Sequence, residues 1–213
     1  MVVREAPEQS GVTFRPVSPS RWADVETLFG TRGACGGCWC MVWRLPRQRW
    51  LAGKGAGNRR GLKALVESGR KPGVLAYLGR KPIGWCAVAP RTDYIALQRS
   101  RVLQPVDDQP VWSISCLFVA RPYRRHGVSV GLLKAAAQIA MKQGARIVEG
   151  YPTEPTMAKT PDAFVWTGTP SAFRRAGFRE VIRRSRTRPI MRLDLSPPRH
   201  PRPRRALRRA GTA

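Results

Sequence analysis

At 213 residues the chain is sized for one domain with an extension, and 42% hydrophobic residues are enough to build a core. The opening residues lack the apolar run of a leader, and no stretch approaches the ~20 apolar residues of a membrane span. A soluble cytoplasmic protein is therefore expected, with no membrane partner. Thirty-nine Lys and Arg against 13 Asp and Glu give a net charge of +26, which disfavours polycationic partners.

Residues 12–16 read as a short strand. Residues 18–29 read as a helix, with Ser18 or Ser20 as N-cap and Val25 and Leu28 on its apolar face. A glycine- and cysteine-rich segment follows at 30–40. Residues 47–69 are basic and helix-prone, interrupted by Gly53, Gly55 and Gly57, with 58–68 the best helical part. Residues 73–79 and 82–90 read as a hairpin turning at 79–81. Residues 91–106 are irregular or helical, and 111–120 form a long central strand. A helix over 129–144 carries Leu132, Leu133, Ala136 and Ile139 at helical spacing and ends at Gly144. Residues 146–151 are a strand, 171–176 a short helix closed by Gly177, and 181–193 hold the closing strands.

The most informative stretch joins the central strand to the helix after it. Arg124, Arg125, His126, Gly127, Val128 and Ser129 form a basic turn that opens directly into that helix. Amides at a helix N-terminus lack internal partners and the helix dipole adds positive charge, so such a turn suits an anion. Gly127 lets backbone approach the ligand without a Cβ in the way. A diphosphate is the expected occupant. Neither a G-x-G-x-x-G after a strand nor a G-x-x-x-x-G-K-[ST] is present.

The order strand, R-x-x-G-x-S, helix resembles the pyrophosphate loop of the GCN5-related N-acetyltransferases (GNAT family), with Ser129 where members usually carry Gly or Ala. The element order over residues 12–193 resembles that family as well, as does the SAFRRAGF run before the last strands. The segment around Cys35, Cys38, Cys40, Trp39 and Trp43 is similar to C-x-x-C-W-C segments of a bacterial subgroup, as are residues 84–91 and 161–168. The resemblance implies an α/β GNAT fold over residues 1–195: a mixed central sheet, splayed at the acetyl-CoA site and flanked by helices. It implies acetyl-CoA as co-substrate and no metal. By position, Leu117, Phe118 and Val119 would hold the pantetheine arm, and Arg124, Arg125, His126, Gly127, Val128 and Ser129 the diphosphate. The thioester would end near Ser115 and Cys116, facing Tyr151. Trp39, Trp43 and Arg44 would wall the acceptor site.

Acyl transfer to an amine needs a proton removed, often through water, and a thiolate protonated on leaving. Relatives often use a central-strand glutamate and a tyrosine in the late helix. Here the strand offers Ser113, Ser115 and Cys116, and Phe173 stands where the tyrosine is expected. Tyr151, Glu149 and Ser115 are the substitutes by location. Positioning the amine and leaving its proton to water is the other solution.

Five cysteines in a chain without a leader argue for reduced thiols. Cys35, Cys38 and Cys40 could bind zinc or form a redox pair. Zinc would need a fourth ligand, however, and the only histidines are His126 and His200. Lining the acceptor pocket or the core is the plainer role, and Cys116 reads as a core thiol rather than an acyl carrier. From residue 170 onward, 14 arginines face only Glu180 and Asp194. The Pro- and Arg-rich tail at 196–213 is expected to be disordered, either simply solvated or holding nucleic acid or another polyanion.

Three acceptor classes fit: a small-molecule amine first, then a protein amine, then the amine of an aminoacyl-tRNA. A homodimer is left open. The alternative from another class is a non-catalytic acyl-CoA sensor, or a nucleic-acid-binding module on the same fold.

Overall fold

The computed structural model describes residues 11–155 and 165–195. The tail at 196–213 and the first half of the 161–168 segment lie outside the described residues. In chain order the elements are β1 Val12–Pro16, α1 Trp22–Phe29, α2 Arg47–Ala52, α3 Ala56–Glu67, β2 Gly73–Leu78 and β3 Lys81–Pro90. Then come α4 Ile95–Gln98, β4 Trp112–Val119, α5 Val128–Lys142, β5 Ile147–Gly150, α6 Pro170–Arg175, β6 Arg179–Arg183 and β7 Pro189–Asp194. Short 3-10 turns precede α1, follow β3 and follow β4. Among the described residues no helix is long and apolar enough to cross a membrane.

Two helix starts differ from the sequence reading. The first helix begins only at Trp22, because Pro19–Arg21 form a 3-10 turn. Ser18 and Ser20 bond each other at 2.9 Å instead of capping it. The long helix begins at Val128, one residue before Ser129, with Gly127 in the left-handed region as its N-cap. The basic stretch over 47–69 is two helices parted at Gly53 and Gly55, the latter with φ +81. A shape with no Cβ suits that break.

Seven strands form one sheet in the order β1-β2-β3-β4-β5-β7-β6. Every pairing is antiparallel except β4 with β5. That single parallel pair needs a crossover, and α5 supplies it.

The helix lies across one face, against β1 to β4. Its Leu132 and Leu133 are fully buried, each worth ~1.5–3 kcal/mol relative to exposure. Gly131 permits the close approach: a Cβ there would stand 2.3 Å from the Phe14 ring. The opposite face carries α1, α3 and the 30–41 segment, packed through Trp22, Phe29, Trp39, Leu62 and Trp85. A third, smaller core gathers Tyr94, Leu97, Leu103, Tyr151 and Ile190.

Candidate active site

The site begins with a defect in β4. Cys116 pairs with Ala87 and Ile114 with Val88, so Ser115 is an extra residue with no partner on β3. This is a β-bulge, and it breaks the alternation of faces. Ile114 and Leu117, three residues apart, both enter the α5-side core, whereas Cys116 and Phe118 pack on the opposite face. Just before the bulge the parallel pairing ends. Strand β4 meets β5 at Trp112, Ser113 and Ile114 only, and the strands then part.

Past the bulge the Ala120 N–H donates to Ile83 O on β3, so by alternation Leu117 and Val119 turn their amides and carbonyls toward the gap. The Leu117 N–H is taken by Trp166 O at 2.7 Å. The gap opens into a cleft of about 570 Å³ walled by Leu117, Phe118, Val119, Trp166, Gly168 and α6.

One end of this cleft is the turn into α5. Arg125 at φ +65 and Gly127 at φ +75 both take left-handed backbone. For an arginine this conformation is uncommon and costs about 1 kcal/mol, so the surrounding turn must hold it. The Val130 and Gly131 amides already bond back to Gly127 O, and Gly127 caps the helix without a side chain. Among the described residues no side-chain oxygen caps the first amides of α5, which suits an anion. Arg124, Arg125, Gly127, Val128 and Ser129 line the cleft, and His126 is exposed and does not. Arg124 also braces the turn, its Nε donating to Val119 O at 2.8 Å. Arg175 on α6 adds a cation that the motif did not announce.

A second cavity of about 260 Å³ shares Cys35, Leu117, Phe118 and Trp166 with the cleft, so the two are continuous. Cys35, Cys38, Cys40 and Cys116 all border it, with Trp50 and Lys54 on the far wall. Cys40 Sγ lies 3.5 Å from Cys116 Sγ and accepts from Trp85 Nε1 at 3.0 Å. The bond to Cys116 and full burial push the Cys40 thiol well up, and the Cys40 contact followed by burial does the same to Cys38. Both stay protonated at neutral pH, a poor state for a nucleophile or a metal ligand. All five cysteines are free thiols. Among the described residues no group of three or more His, Cys, Asp or Glu is placed to hold a metal ion.

The residues expected to do proton chemistry lie elsewhere. Tyr151 is fully buried in the smaller core and Glu149 is fully buried within β5, between Ser113 and Arg192, and neither lines the cleft or the second cavity. The Tyr151 hydroxyl donates to Glu149 Oε2 at 2.9 Å, shares a 2.7 Å bond with Ser113 Oγ and accepts from Arg91 Nη1. Burial first, and the Glu149 charge second, push its phenol far above the ordinary value. Glu149 also accepts from Arg192 Nε at 2.7 Å, and Arg192 forks onto Asp107 at 2.6 and 2.9 Å. Ser115 Oγ is buried near the Tyr94 phenol without a hydrogen bond of normal geometry.

The three residues expected to wall the acceptor site are also placed differently. Trp39 is a core side chain, 5.4 Å from the Phe29 ring. Trp43 packs on Trp166 at 5.9 Å, behind the cavity wall. Arg44 is buried over the Tyr94 ring at 4.6 Å and pairs with Asp93 at 3.2 Å. None of the three borders the second cavity. The sequence reading missed Trp50, Lys54, Trp166 and Arg175. One signal was available: Thr169–Pro170 is an N-cap followed by proline, and Thr169 Oγ1 does accept from the Ala172 amide.

The parallel pair β4–β5 thus splays beside a basic turn that opens into α5. A model described as the acetyltransferase (GNAT) family matches residues 40–157, more than half of the chain, and the chain belongs to that family. No curated protein matches it. Among solved structures it is similar to a protein named as insect arylalkylamine N-acetyltransferase 7 from the yellow fever mosquito, at 10% identity and a TM-score of 0.53, covering 87% of this chain and 88% of that one. GNAT-family acetyltransferases of Listeria monocytogenes and Streptococcus agalactiae both give a TM-score of 0.52. The first has 10% identity and covers 86% of this chain and 95% of its own; the second has 9% and covers 88% and 98%. At these identities the likeness is one of fold.

Proposed function

We propose that the chain is an acetyl-CoA-dependent N-acetyltransferase that moves the acetyl group directly to the primary amine of a small molecule. One observation carries this reading: β4 and β5 part into a cleft that ends on the uncapped head of α5, within the span matched to the family. The residues fit the coenzyme. The amides at the start of α5 with Arg125 and Arg175 suit the diphosphate, and Gly127 keeps the approach open. The Leu117 carbonyl and Val119 amide face the gap and suit the pantetheine arm, the Leu117 amide being held by Trp166. When bound, acetyl-CoA supplies the acyl group as an activated thioester.

The acyl end then belongs at the bulge, beside Cys116 and Trp166, where the cleft meets the second cavity. A neutral amine held in that cavity attacks there and loses its proton to water, so the protein contributes chiefly position. Tyr151 and Glu149 act as positioning residues: they fix Ser113 and keep β4 on β5 up to the bulge at Ser115.

Radioactive acetyl-CoA added with the protein to a bacterial lysate, then separated into RNA, protein and small-molecule fractions, tests the reading. Label is expected among small molecules. Label in protein or RNA would name a different acceptor class. No label from protein that still binds acetyl-CoA would favour an acyl-CoA sensor.

A further inference from the structure

The second cavity also carries information about the acceptor, given the acetyltransferase activity proposed for the cleft beside it. Its walls are aromatic and thiol surfaces: Phe118, Trp50, Trp166, Cys38, Cys40 and Cys116. Lys54 is the one charged side chain among the described residues that border it, and no carboxylate does. The lysine is held over the Trp50 ring, Nζ 5.0 Å from the centroid. Lys54 and Cys35 are exposed, so the cavity opens to solvent on that side, while its inner end reaches the bulge at Cys116. The volume of about 260 Å³ is below the roughly 300–1,000 Å³ of sites for drug-sized ligands and suits one ring and its substituents.

We infer that the acceptor is a small apolar amine, of aromatic amino-acid size, that carries one anionic group for Lys54; this rests on the acetyltransferase reading. Its ring would lie among Trp50, Trp166 and Phe118, with the anion at the mouth and the amine pointing inward toward Cys116. Polyamines and aminoglycosides are the wrong chemistry: each added ammonium would have to be stripped of water in a wall whose described residues offer no carboxylate.

The same lining explains how the amine becomes a nucleophile without a dedicated base. An ammonium is disfavoured by the apolar walls and by the Lys54 cation, so the free amine is the form that binds. Transfer forms the N–acyl bond and breaks the C–S bond; the amine proton passes to water, and the departing thiolate takes a proton from water to leave as the thiol.

The test uses the full chain, acetyl-CoA and mass-spectrometric detection of product, since the exposed Cys35 would react with a thiol dye. The probes are 4-(2-aminoethyl)benzoate, whose anion and amine stand at opposite ends of the ring, 2-phenylethylamine, spermidine and kanamycin. 4-(2-Aminoethyl)benzoate should be acetylated with kcat/KM about tenfold above 2-phenylethylamine, as one charge-assisted contact provides, and the two polycations should give no product. Lys54→Ala should bring the ratio of the first two to about one through KM, and Lys54→Glu should invert it. Preference for spermidine or kanamycin, or a ratio untouched by either substitution, overturns the inference and leaves the acetyltransferase reading standing. Faster transfer of hexanoyl than acetyl to 2-phenylethylamine would assign the cavity to the acyl chain and overturn it as well. No product from any amine, in protein that binds acetyl-CoA, removes both readings.

Discussion

The two halves of β4 are built to opposite ends. The first half, Trp112 to Ile114, is bonded on both sides and anchored by a charge cluster that runs from the core to the surface: Arg91, Glu149, Arg192 and Asp107 sum to zero and surround Tyr151 and Ser113. The second half, after the Ser115 bulge, pairs with β3 as its one described strand neighbour and turns its other edge to the cleft, where Trp166 O takes the Leu117 amide. A gap in a sheet closes unless something holds the strands apart. Phe173 is the wedge: its ring sits where a Cβ on Gly150 or Gly168 would be, at the root of the split. The anchored half thus makes the open half tolerable, and polar groups with catalytic looks serve the anchor.

Glu149→Ala strikes the anchored half hardest. It leaves Arg91 and the Nε of Arg192 without their buried counter-charge, and breaking such a pair costs ~3–5 kcal/mol. The thermal midpoint should fall by roughly 10 °C, with acetyl-CoA affinity dropping as the splay loses its anchor. An unchanged midpoint would mean the cluster does not hold β4 to β5. The next test lies in the open half. Gly127→Trp fills the cradle and forces a bulky residue to φ +75. Coenzyme affinity, read by calorimetry, should fall on the order of 100-fold, about 3 kcal/mol of lost anion contact. Retained affinity would move the coenzyme away from this loop.

The open half was the legible half. Its turn is six consecutive residues, the helix after it is periodic, and both were read from local sequence. The anchored half was read as catalytic because Tyr151 and Glu149 stand on the correct strand. Their partners Arg91, Asp107 and Arg192 lie about 40 to 60 residues away along the chain, and no short pattern announces such a cluster. The bulge was hidden for a similar reason. Ser-Ile-Ser-Cys-Leu reads as plain alternation, and only the register against β3 reveals Ser115 as the extra residue. The tryptophans misled in the same way. Trp39 and Trp43 resemble pocket residues in sequence, but packing against Phe29 and Trp166 uses their faces, and the cavity wall is left to Trp50 and Lys54.

The wedge itself can be tested. A Cβ on Gly150 would stand 1.9 Å from Phe173 Cε1, so Gly150→Ala should cost about 1–3 kcal/mol by overpacking. Adding Phe173→Leu should recover part of that loss, and chemical denaturation of the four proteins in the cycle measures the coupling. Strictly additive effects would show that the ring and the strand end do not compete for the same space.

The smallest effect tests the outer edge of the anchor. The Arg192 fork holds the Asp107 carboxyl down from its ordinary 3.8 to about 2. A depressed carboxylate pKa gives stability that is complete above the unfolded value and disappears as pH falls through the folded one. Asp107 should therefore make the protein lose stability between pH about 4 and about 2. Its side chain is 37% exposed, so solvent screens the pair and the loss should be modest. Asp107→Asn should flatten that limb of the stability curve while leaving the midpoint at neutral pH only slightly lower, because Glu149 still holds Arg192 from inside. A substitution that instead lowers the neutral midpoint as far as Glu149→Ala does would mean that the buried carboxylate cannot hold Arg192 alone. The anchor would then extend to the surface, and the first half of β4 would depend on solvent-side charge as much as the second half depends on its cleft.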